Sequence, residues 1–499
     1  MMENTNYTKF KNYMQSVADL KYASAVLQWD QETYMPAKGA AYRGRQITTL
    51  TALAHEQMTA TVLEEMVTML LGDESLSETE KLNVSRTKED MIRSKKLPNS
   101  FVKEQADVIN ICFHGWVKAK EENNFQLFEP HLQKLIELKR KEAEFLGYEK
   151  HPYDALMNDY DKGLTTEIVD KVFEDLKPEL QRLIEQASSS NVDDSPLRQH
   201  FDKNLQWHLG LDFLKEMHYD FEAGRQDIST HPFTTNFSAQ DVRVTTRINE
   251  NDFTSMLWSC IHEGGHALYE QGLPVEEYGL PMGEYCSLSI HESQSRLWEN
   301  CIGRSLAFWQ KNYHKIQTAF PVQFSSISAD DFYKMINKVV PSLIRTEADE
   351  LTYHFHVMIR YEIEKKLIAG DAEAKDIPAL WNAAYKNYLG VDVPSDALGC
   401  LQDIHWSHGS FGYFATYSIG SLYGAQFWNT IQNQYKDLEI EMSQEGTNKI
   451  WNWLKENVYK YARQFTSEEL CKKATGEALN SKYFINYAEK KWSHVAALG

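Results

Sequence analysis

The chain has 499 residues, 42% of them hydrophobic, and its 71 acidic and 52 basic residues give a formal charge of −19. This length predicts two or three lobes rather than one core of the usual size. The acidic surplus excludes nucleic acid as an expected partner, because phosphate binding needs Lys and Arg in excess on some face.

The first twenty residues contain no apolar run after a basic segment, so we expect no secretory signal. No run of 18 or more apolar residues occurs, so no membrane span is expected either. The six cysteines are scattered without CxxC spacing, which is typical of free thiols in a reducing compartment. We therefore expect a cytoplasmic protein.

Long amphipathic segments predict a mainly α-helical fold. Residues 127–147 and 165–187 place Leu, Ile and Val largely on one face and charged residues elsewhere. The Ser-, Asp- and Asn-rich stretch 188–196 predicts a loop. We expect it to separate an N-terminal helical lobe, approximately 1–190, from a second lobe, approximately 197–499.

Residues 224–251 do not continue the helical pattern. The segment "RVTTRI" (243–248) is short and rich in β-branched residues. It predicts a small antiparallel sheet in this region, either a hairpin or three strands. Helical patterns return after it and continue to a last helix around residues 481–497.

The stretch "IHEGGHALYEQGL" (261–273) carries the clearest chemical signal. Residues four apart share a helix face, so His262 and His266 can bind one metal ion. Glu263 flanks that face and can reach water at the metal, as in the H-E-x-x-H signature of zinc peptidases. Gly264 and Gly265 each weaken the helix by about 1 kcal/mol. They indicate either a close approach by another backbone or the substrate, or a locally weak helix.

A catalytic zinc site needs a third protein ligand and an open position. Glu292, in "SLSIHESQSRLWEN" (287–300), follows His266 by 26 residues. This gap allows the first helix to end near Gly272 and a second helix to return beside it. Glu292 is the best candidate by position, with Glu284 and Glu299 as alternatives.

Six motifs in order resemble the carboxypeptidase Taq family of metallocarboxypeptidases. They are "HPF" (231–233), "DVRVT" (241–245), "HEGGH" (262–266), "HESQS" (291–295), "IRTEAD" (344–349) and "GCLQDIHW" (399–406). The segment "LQWDQETYMPAKGAAYRGRQ" (27–46) is also similar, so the resemblance spans nearly the whole chain. In "GYFATYSIG" (412–420), Ala415 replaces the family's usual proline, which we expect to loosen that loop without removing a chemical group.

The resemblance implies a large helical peptidase fold with a long central groove, in which the whole chain is one peptidase unit and the second lobe is catalytic. It implies a homodimer that removes single C-terminal residues from peptides, with broad specificity and C-terminal proline refused. His262, His266 and Glu292 would be the metal ligands and Glu263 the catalytic carboxylate. One divalent ion per subunit is expected, zinc first and cobalt as the alternative.

An exopeptidase must also bind a free carboxylate, which the planar fork of arginine matches with two hydrogen bonds. Arg345 in "IRTEAD" is the first choice. Arg243 in "DVRVT" is the second, with pairing to Asp241 or Asp349 as its structural alternative.

The tetrahedral oxyanion needs a donor besides the metal. His405 in "QDIHW" and Tyr413 or Tyr417 in "GYFATY" are the candidates. Two other functions stay open: a helical zinc endo-oligopeptidase or dipeptidase with the same ligand set, and a non-catalytic scaffold that binds peptides.

Overall fold

The computed structural model describes residues 4–188 and 192–498, and these confirm the mainly α-helical class. Residues 189–191, part of the loop predicted at 188–196, lie outside the described residues. Among the helices that are described, none is long and apolar enough to cross a membrane. The α-helices are α1 (Thr5–Thr33), α2 (Ala40–Met58), α3 (Thr61–Leu71), α4 (Glu78–Lys96), α5 (Asn99–Glu121), α6 (Glu129–Leu146), α7 (Pro152–Met157), α8 (Thr166–Ser188), α9 (Lys203–Glu216), α10 (Phe253–Gln271), α11 (Leu288–Arg296), α12 (Leu306–Ala319), α13 (Pro321–Phe324), α14 (Ala329–Ile336), α15 (Tyr353–Ala369), α16 (Ile377–Leu389), α17 (Phe414–Gln434), α18 (Leu438–Gln444), α19 (Asn448–Asn457), α20 (Ser467–Thr475) and α21 (Lys482–Ala497).

The small sheet has three strands, β1 (Gly224–Ile228), β2 (Thr234–Ser238) and β3 (Asp241–Thr246), in the order β1-β3-β2. The prediction of an antiparallel sheet is right for β2 and β3 but wrong for β1, which pairs with β3 in parallel. The cause is the connection through Pro232, which carries the chain across β3 to its far side. The side chain of Thr245 holds this connection, because its Oγ1 accepts from the Phe233 N–H at 2.9 Å.

The chain forms two compact units, each built from three separate segments. The first comprises Met1–Lys95, Asp193–Met335 and Gly424–Ala478, and it contains the sheet, α10 and α11. The second comprises Lys96–Val192, Ile336–Tyr423 and Leu479–Gly499, and it contains α5 to α8, α15, α16 and α21.

In the first unit, α10 is the helix that carries the H-E-x-x-H motif. It ends at Gln271 with Gly272 as its C-cap, which confirms the predicted end near Gly272. The side chain of its N-cap residue, Asp252, accepts from the Thr254 N–H at 2.9 Å. Phe253 packs at the start of α10 in a buried aromatic cluster with Phe201, Phe320 and Phe324. The helix then packs against β3, α9 and α11. This burial fixes the helix on which the candidate ligands lie.

In the second unit, a charged residue lies inside the aromatic core. Trp381 stacks on Tyr385 at 5.2 Å between ring centroids, and the Arg360 guanidinium lies 4.4 Å above the Trp381 ring. Arg360 is fully buried. A buried guanidinium requires a partner charge, and Asp403 supplies it at 2.6 Å.

Candidate metal centre

His262, His266 and Glu292 converge on one point in the first unit. A ligand atom from each lies within 4.8 Å of the other two. Nε2 of His266 lies 3.5 Å from Oε2 of Glu292, and Nε2 of His262 lies 4.0 Å from the same oxygen. Both histidines come from one face of α10, and Glu292 comes from the first turns of α11. The structure therefore brings together the three residues that are predicted from the sequence to bind a metal.

The orientation of the His262 ring is set from behind by Glu299. Nδ1 of His262 lies 2.9 Å from Oε2 of Glu299, which lies in the π-helical segment Leu297–Gly303 that continues α11. A carboxylate only accepts, so Nδ1 carries the proton and Nε2 faces Glu292. Burial would lower the pKa of His262, but the hydrogen bond with Glu299 raises it. Arg296 and Arg304 donate to Glu299 at 3.2 and 3.1 Å and neutralise its charge.

His266 is oriented by another ring. Its Nδ1 lies 2.6 Å from Nδ1 of His291, whose Nε2 lies 2.8 Å from Oε1 of Glu270. Burial lowers the pKa of His266 to about 3, so the ring is neutral near pH 7. A metal ligand must be neutral imidazole, and this ring meets that condition.

Glu292 is buried and ionised. Burial alone would raise its pKa, but the charge of Arg296 lowers the pKa to about 2. Arg296 donates to Oε1 at 2.8 Å, which leaves Oε2 turned towards the two histidines. The carboxylate is thus an anion aimed at the space between the imidazoles.

This donor set fits a catalytic divalent ion. Two imidazoles and one carboxylate are the ligands of catalytic zinc in His₂Glu sites. Ligand atoms roughly 2.0–2.2 Å from one ion at tetrahedral angles lie about 3.4 Å apart. The 3.5 and 4.0 Å separations here are close to that spacing. The fit rests on residue types and on the distances between their ligand atoms.

Glu263 is buried beside the three candidate ligands. Thr234, the first residue of β2, donates to its Oε2 at 2.7 Å. Within residues 4–188 and 192–498, its Oε1 makes no hydrogen bond. Burial raises the pKa of Glu263, against the lowering effect of the His262 charge. A carboxylate with one oxygen held and the other free is suited to moving a proton.

The two motif glycines let other elements approach α10. A Cβ added to Gly265 would lie 2.6 Å from Cα of Ser295 and 2.8 Å from O of Gln294, both on α11. A Cβ at Gly264 would lie 2.8 Å from side-chain atoms of Leu214 and Met217. The interpretation as a close backbone approach is therefore confirmed for Gly265, while Gly264 accommodates side chains.

Arg243 lies in the first unit and is paired. Its Nε and Nη2 donate to the two oxygens of Asp241 at 2.9 and 2.8 Å. Its guanidinium lies 4.3 Å from the ring centroid of Trp29 and 4.9 Å from that of Phe237. The structural alternative expected for this arginine, a salt bridge with Asp241, is present.

Arg345 lies in the second unit and shares a carboxylate with Arg360. Its Nε and Nη2 lie 3.0 and 2.9 Å from Oδ1 of Asp403, while Arg360 donates to Oδ2 at 2.6 Å. Burial opposes ionisation of Asp403, but the two guanidinium charges hold its pKa well below the usual range. Two cations on one anion leave a net charge of +1.

His405 and Tyr417 lie beside that cluster in the second unit. Nε2 of His405 lies 3.1 Å from the Tyr417 hydroxyl, and the Tyr413 ring lies 5.4 Å from the imidazole. Burial, with the charge of Arg345, lowers the pKa of His405 to about 3, so it adds no charge to the cluster near pH 7. Its Nδ1 is buried without a hydrogen-bond partner among the described residues.

Ala415 lies in the first turn of α17 and is fully buried, so the loop that we expected it to loosen is helical there.

Glu364 on α15 holds the chain that follows His405. It accepts from Nε1 of Trp406 at 2.8 Å, from the Gly412 N–H at 2.9 Å and from the Tyr153 hydroxyl. It is fully buried, and burial raises its pKa to about 7. The segment that carries His405 is thus fixed through a carboxyl group that titrates near neutrality.

Comparisons with known proteins identify the family of the chain. The model of the Carboxypeptidase Taq (M32) metallopeptidase family matches residues 9–492. Carboxypeptidase 1 of Bacillus subtilis is 38% identical over 501 residues, which cover 100% of both chains. The crystal structure of the M32 carboxypeptidase from Deinococcus radiodurans R1 is 35% identical, with a TM-score of 0.97 over 99% of this chain and 100% of that one. A solved structure named CHT is 53% identical, with a TM-score of 0.96 over 98% and 99% of the two chains.

Fold, donor set and relatives together define a metallocarboxypeptidase, an enzyme class that requires a divalent metal. The chain belongs to the carboxypeptidase Taq (M32) family of metallopeptidases. The resemblance drawn from the six sequence motifs is confirmed.

Sequence reasoning missed the role of three residues behind the candidate ligands. Glu299 and His291 contact His262 and His266, and Glu270 contacts His291. Glu270 follows His266 by four residues and shares its helix face, and Glu299 follows Glu292 by seven, on the same face two turns later. His291 is part of the motif "HESQS" (291–295), and Glu299 is an alternative for the third ligand, but the sequence does not predict that either orients a histidine. The helical spacing was the available signal for both carboxylates.

Proposed function

We propose that this enzyme releases single C-terminal residues from peptides, with one divalent ion held by His262, His266 and Glu292. The observation that carries the proposal is the convergence of these three donors beside Glu263 in a chain of this family. Zinc is the proposed ion and cobalt the alternative, because the ligand set suits both and availability decides. When bound, such an ion polarises the scissile carbonyl and activates water.

Glu263 is the proposed proton carrier. Its free Oε1 accepts the proton of the attacking water and then returns it to the leaving amine. Thr234 holds Oε2 at 2.7 Å and fixes the plane of the carboxylate. The raised pKa of Glu263 supports this role, since a group that both takes and gives a proton works best with a pKa closer to the working pH.

Arg345 is the proposed anchor for the terminal carboxylate of the substrate. The support is electrostatic, since Arg345 and Arg360 share only Asp403 and leave one positive charge without a partner anion among the described residues. A substrate carboxylate would supply that anion through a charge-assisted contact. Arg243 is the weaker candidate, because it has Asp241 as its own partner anion, whereas Arg345 shares Asp403 with Arg360.

His405 and one of Tyr413 and Tyr417 are the proposed oxyanion donors. Two observations support the assignment: Nδ1 of His405 has no hydrogen-bond partner among the described residues, and Nε2 of the same ring contacts the Tyr417 hydroxyl. Preorganised donors of this kind stabilise the charge that develops on the carbonyl oxygen.

Three further properties follow only from family resemblance: broad specificity with C-terminal proline refused, a long central groove, and a homodimer. Light scattering on the purified protein tests the dimer, and a set of peptides differing in the last residue tests the specificity. We also propose a reducing compartment, the cytoplasm, which the six cysteines support because none forms a disulfide. Cell fractionation tests that location.

Product mapping on N-blocked peptides tests the activity itself. The metal-loaded enzyme is expected to give a ladder of products that lose one C-terminal residue at a time, and a chelator is expected to abolish it. Internal cuts would identify the endo-oligopeptidase, and release of dipeptides the dipeptidase. Binding without any product would identify the non-catalytic scaffold.

A further inference from the structure

Behind His266 runs a continuous line of polar groups from three elements. Nδ1 of His266 on α10 lies 2.6 Å from Nδ1 of His291 on α11. Nε2 of His291 lies 2.8 Å from Oε1 of Glu270, again on α10. Nδ2 of Asn236, on β2, donates to the other oxygen of Glu270 at 2.7 Å.

Only one arrangement of protons satisfies this line when the rings are neutral. Ionised Glu270 accepts and never donates, so Nε2 of His291 carries a proton. Nδ1 of the same ring is then unprotonated and accepts from Nδ1–H of His266. Nε2 of His266 is left with its lone pair, 3.5 Å from the Oε2 of Glu292. The line therefore selects the tautomer of His266 that binds a metal through Nε2.

The charge of Glu270 is a second, independent indication that this line of groups serves a metal ion at His266. This carboxylate is 3% exposed. Among the described residues, no Lys or Arg lies within ion-pair distance of it, and its salt-bridge contact is His291. A buried carboxylate is costly unless it is paired. Glu299, which plays the corresponding part for His262, has two arginines. A cation held by His266 would balance the charge of Glu270 from the far end of the line.

His291 is not free to bind the ion itself. Both of its ring nitrogens contact protein groups. The rings of Tyr269 and Tyr285 pack against it at 5.4 and 4.9 Å and hold its plane. The ring is a fixed spacer between a ligand and a carboxylate.

We propose that His291 and Glu270 are positioning residues that fix the tautomer of His266 and strengthen it as a metal ligand, with Asn236 orienting Glu270. The inference rests on the proposed metal site. Partners of this kind fix the orientation and raise the basicity of a ligating histidine, and removing them weakens metal binding about 10–100-fold.

Glu270→Gln is the decisive variant, because it keeps the shape and removes the charge. Its amide oxygen still accepts from His291, and its NH2 can donate to Asn236 Oδ1 once the Asn236 amide turns over. We expect its Kd for Zn²⁺, measured by competition with a chelator, to rise about 10–100-fold. The melting temperature of the metal-free protein should not fall below the wild-type value, because the change removes a buried charge that has no cation when the metal is absent. The matched control is Glu216→Gln in the same unit, which breaks contacts with Lys311 and Lys315 and should leave the Zn²⁺ affinity unchanged.

A double-mutant cycle tests whether the two residues act as one line. His291→Ala should weaken Zn²⁺ binding, and Glu270→Gln should add little to it, because the carboxylate then no longer reaches His266. Wild-type affinity in Glu270→Gln would overturn the inference, as would full additivity of the two changes. If His291→Ala does not fold, Glu270→Gln alone decides.

The wild-type protein and His262→Ala separate this inference from the proposed site. Tight Zn²⁺ binding that His262→Ala abolishes and Glu270→Gln leaves intact would remove the positioning role only. Equal binding by wild type and His262→Ala would remove the proposed site itself.

Discussion

A single methyl group at Gly265 is expected to weaken both the fold and the metal site. The Cβ of Gly265→Ala would lie 2.6 Å from Cα of Ser295 and 2.8 Å from O of Gln294. Both are backbone atoms of α11, so no side-chain rotation relieves the contact. The two helices must move apart, and α11 carries Glu292.

The size of the effect follows from two opposing contributions. Alanine favours a helix over glycine by about 1 kcal/mol. Overpacking a close contact costs about 1–3 kcal/mol, and a clash with backbone belongs at the upper end. The net expectation is a loss of about 2 kcal/mol in the free energy of unfolding. Because Glu292 moves with α11, we also expect Zn²⁺ affinity to fall about tenfold or more, as when groups that orient a ligand are disturbed.

Gly44→Ala is the matched control. Gly44 lies inside α2, and a Cβ there would meet no atom within 4 Å. This variant keeps the helix gain without a clash, so it should be as stable as wild type or more stable by up to about 1 kcal/mol. Melting temperatures and Zn²⁺ competition on both variants provide the measurement. A Gly265→Ala protein with wild-type melting temperature and affinity would refute the close approach.

Two further predictions concern the second unit. Arg345→Ala should lower kcat/KM for free-acid peptides about thirty- to several-thousand-fold, from roughly 2–5 kcal/mol for a truncated buried charge contact. It should change the slow turnover of C-terminal amides little, and equal losses on acids and amides would assign Arg345 to the fold. For Glu364, the pKa is raised by burial from 4.5 to about 7, so its stabilising contribution is complete below pH 4.5 and is lost as the pH rises through 7. The stability difference between wild type and Glu364→Gln should therefore fall by about 3 kcal/mol between pH 4.5 and 8. Chemical unfolding at both pH values measures it, and a pH-independent difference would contradict the raised pKa.

The centre of the candidate site follows from local sequence. A helical period places His262 and His266 on one face, and the distance to the next helix singles out Glu292. The spacing of the two histidines and the separation of Glu292 from His266 can both be read from the sequence, because each depends only on helix geometry and on the length of one connection. The glycine at 265 also had a local signal, since a glycine inside a helix needs a packing reason.

The groups that orient the ligands depend on tertiary packing. Glu270 lies on the correct face, but only the return of α11 brings His291 between it and His266. The parallel pairing of β1 with β3 depends on a crossing of the chain that strand propensity does not encode. Each compact unit joins three distant segments, which no change in composition marks.

The most direct test of the central claim is the metal content of two purified variants, read beside their turnover. Glu263→Gln should hold one ion per chain while kcat falls by several orders of magnitude, because the amide cannot accept a proton. His262→Ala should lose the ion and the activity together, since two remaining ligands hold zinc poorly. Full metal occupancy in His262→Ala, or near-normal kcat in Glu263→Gln, would contradict the account.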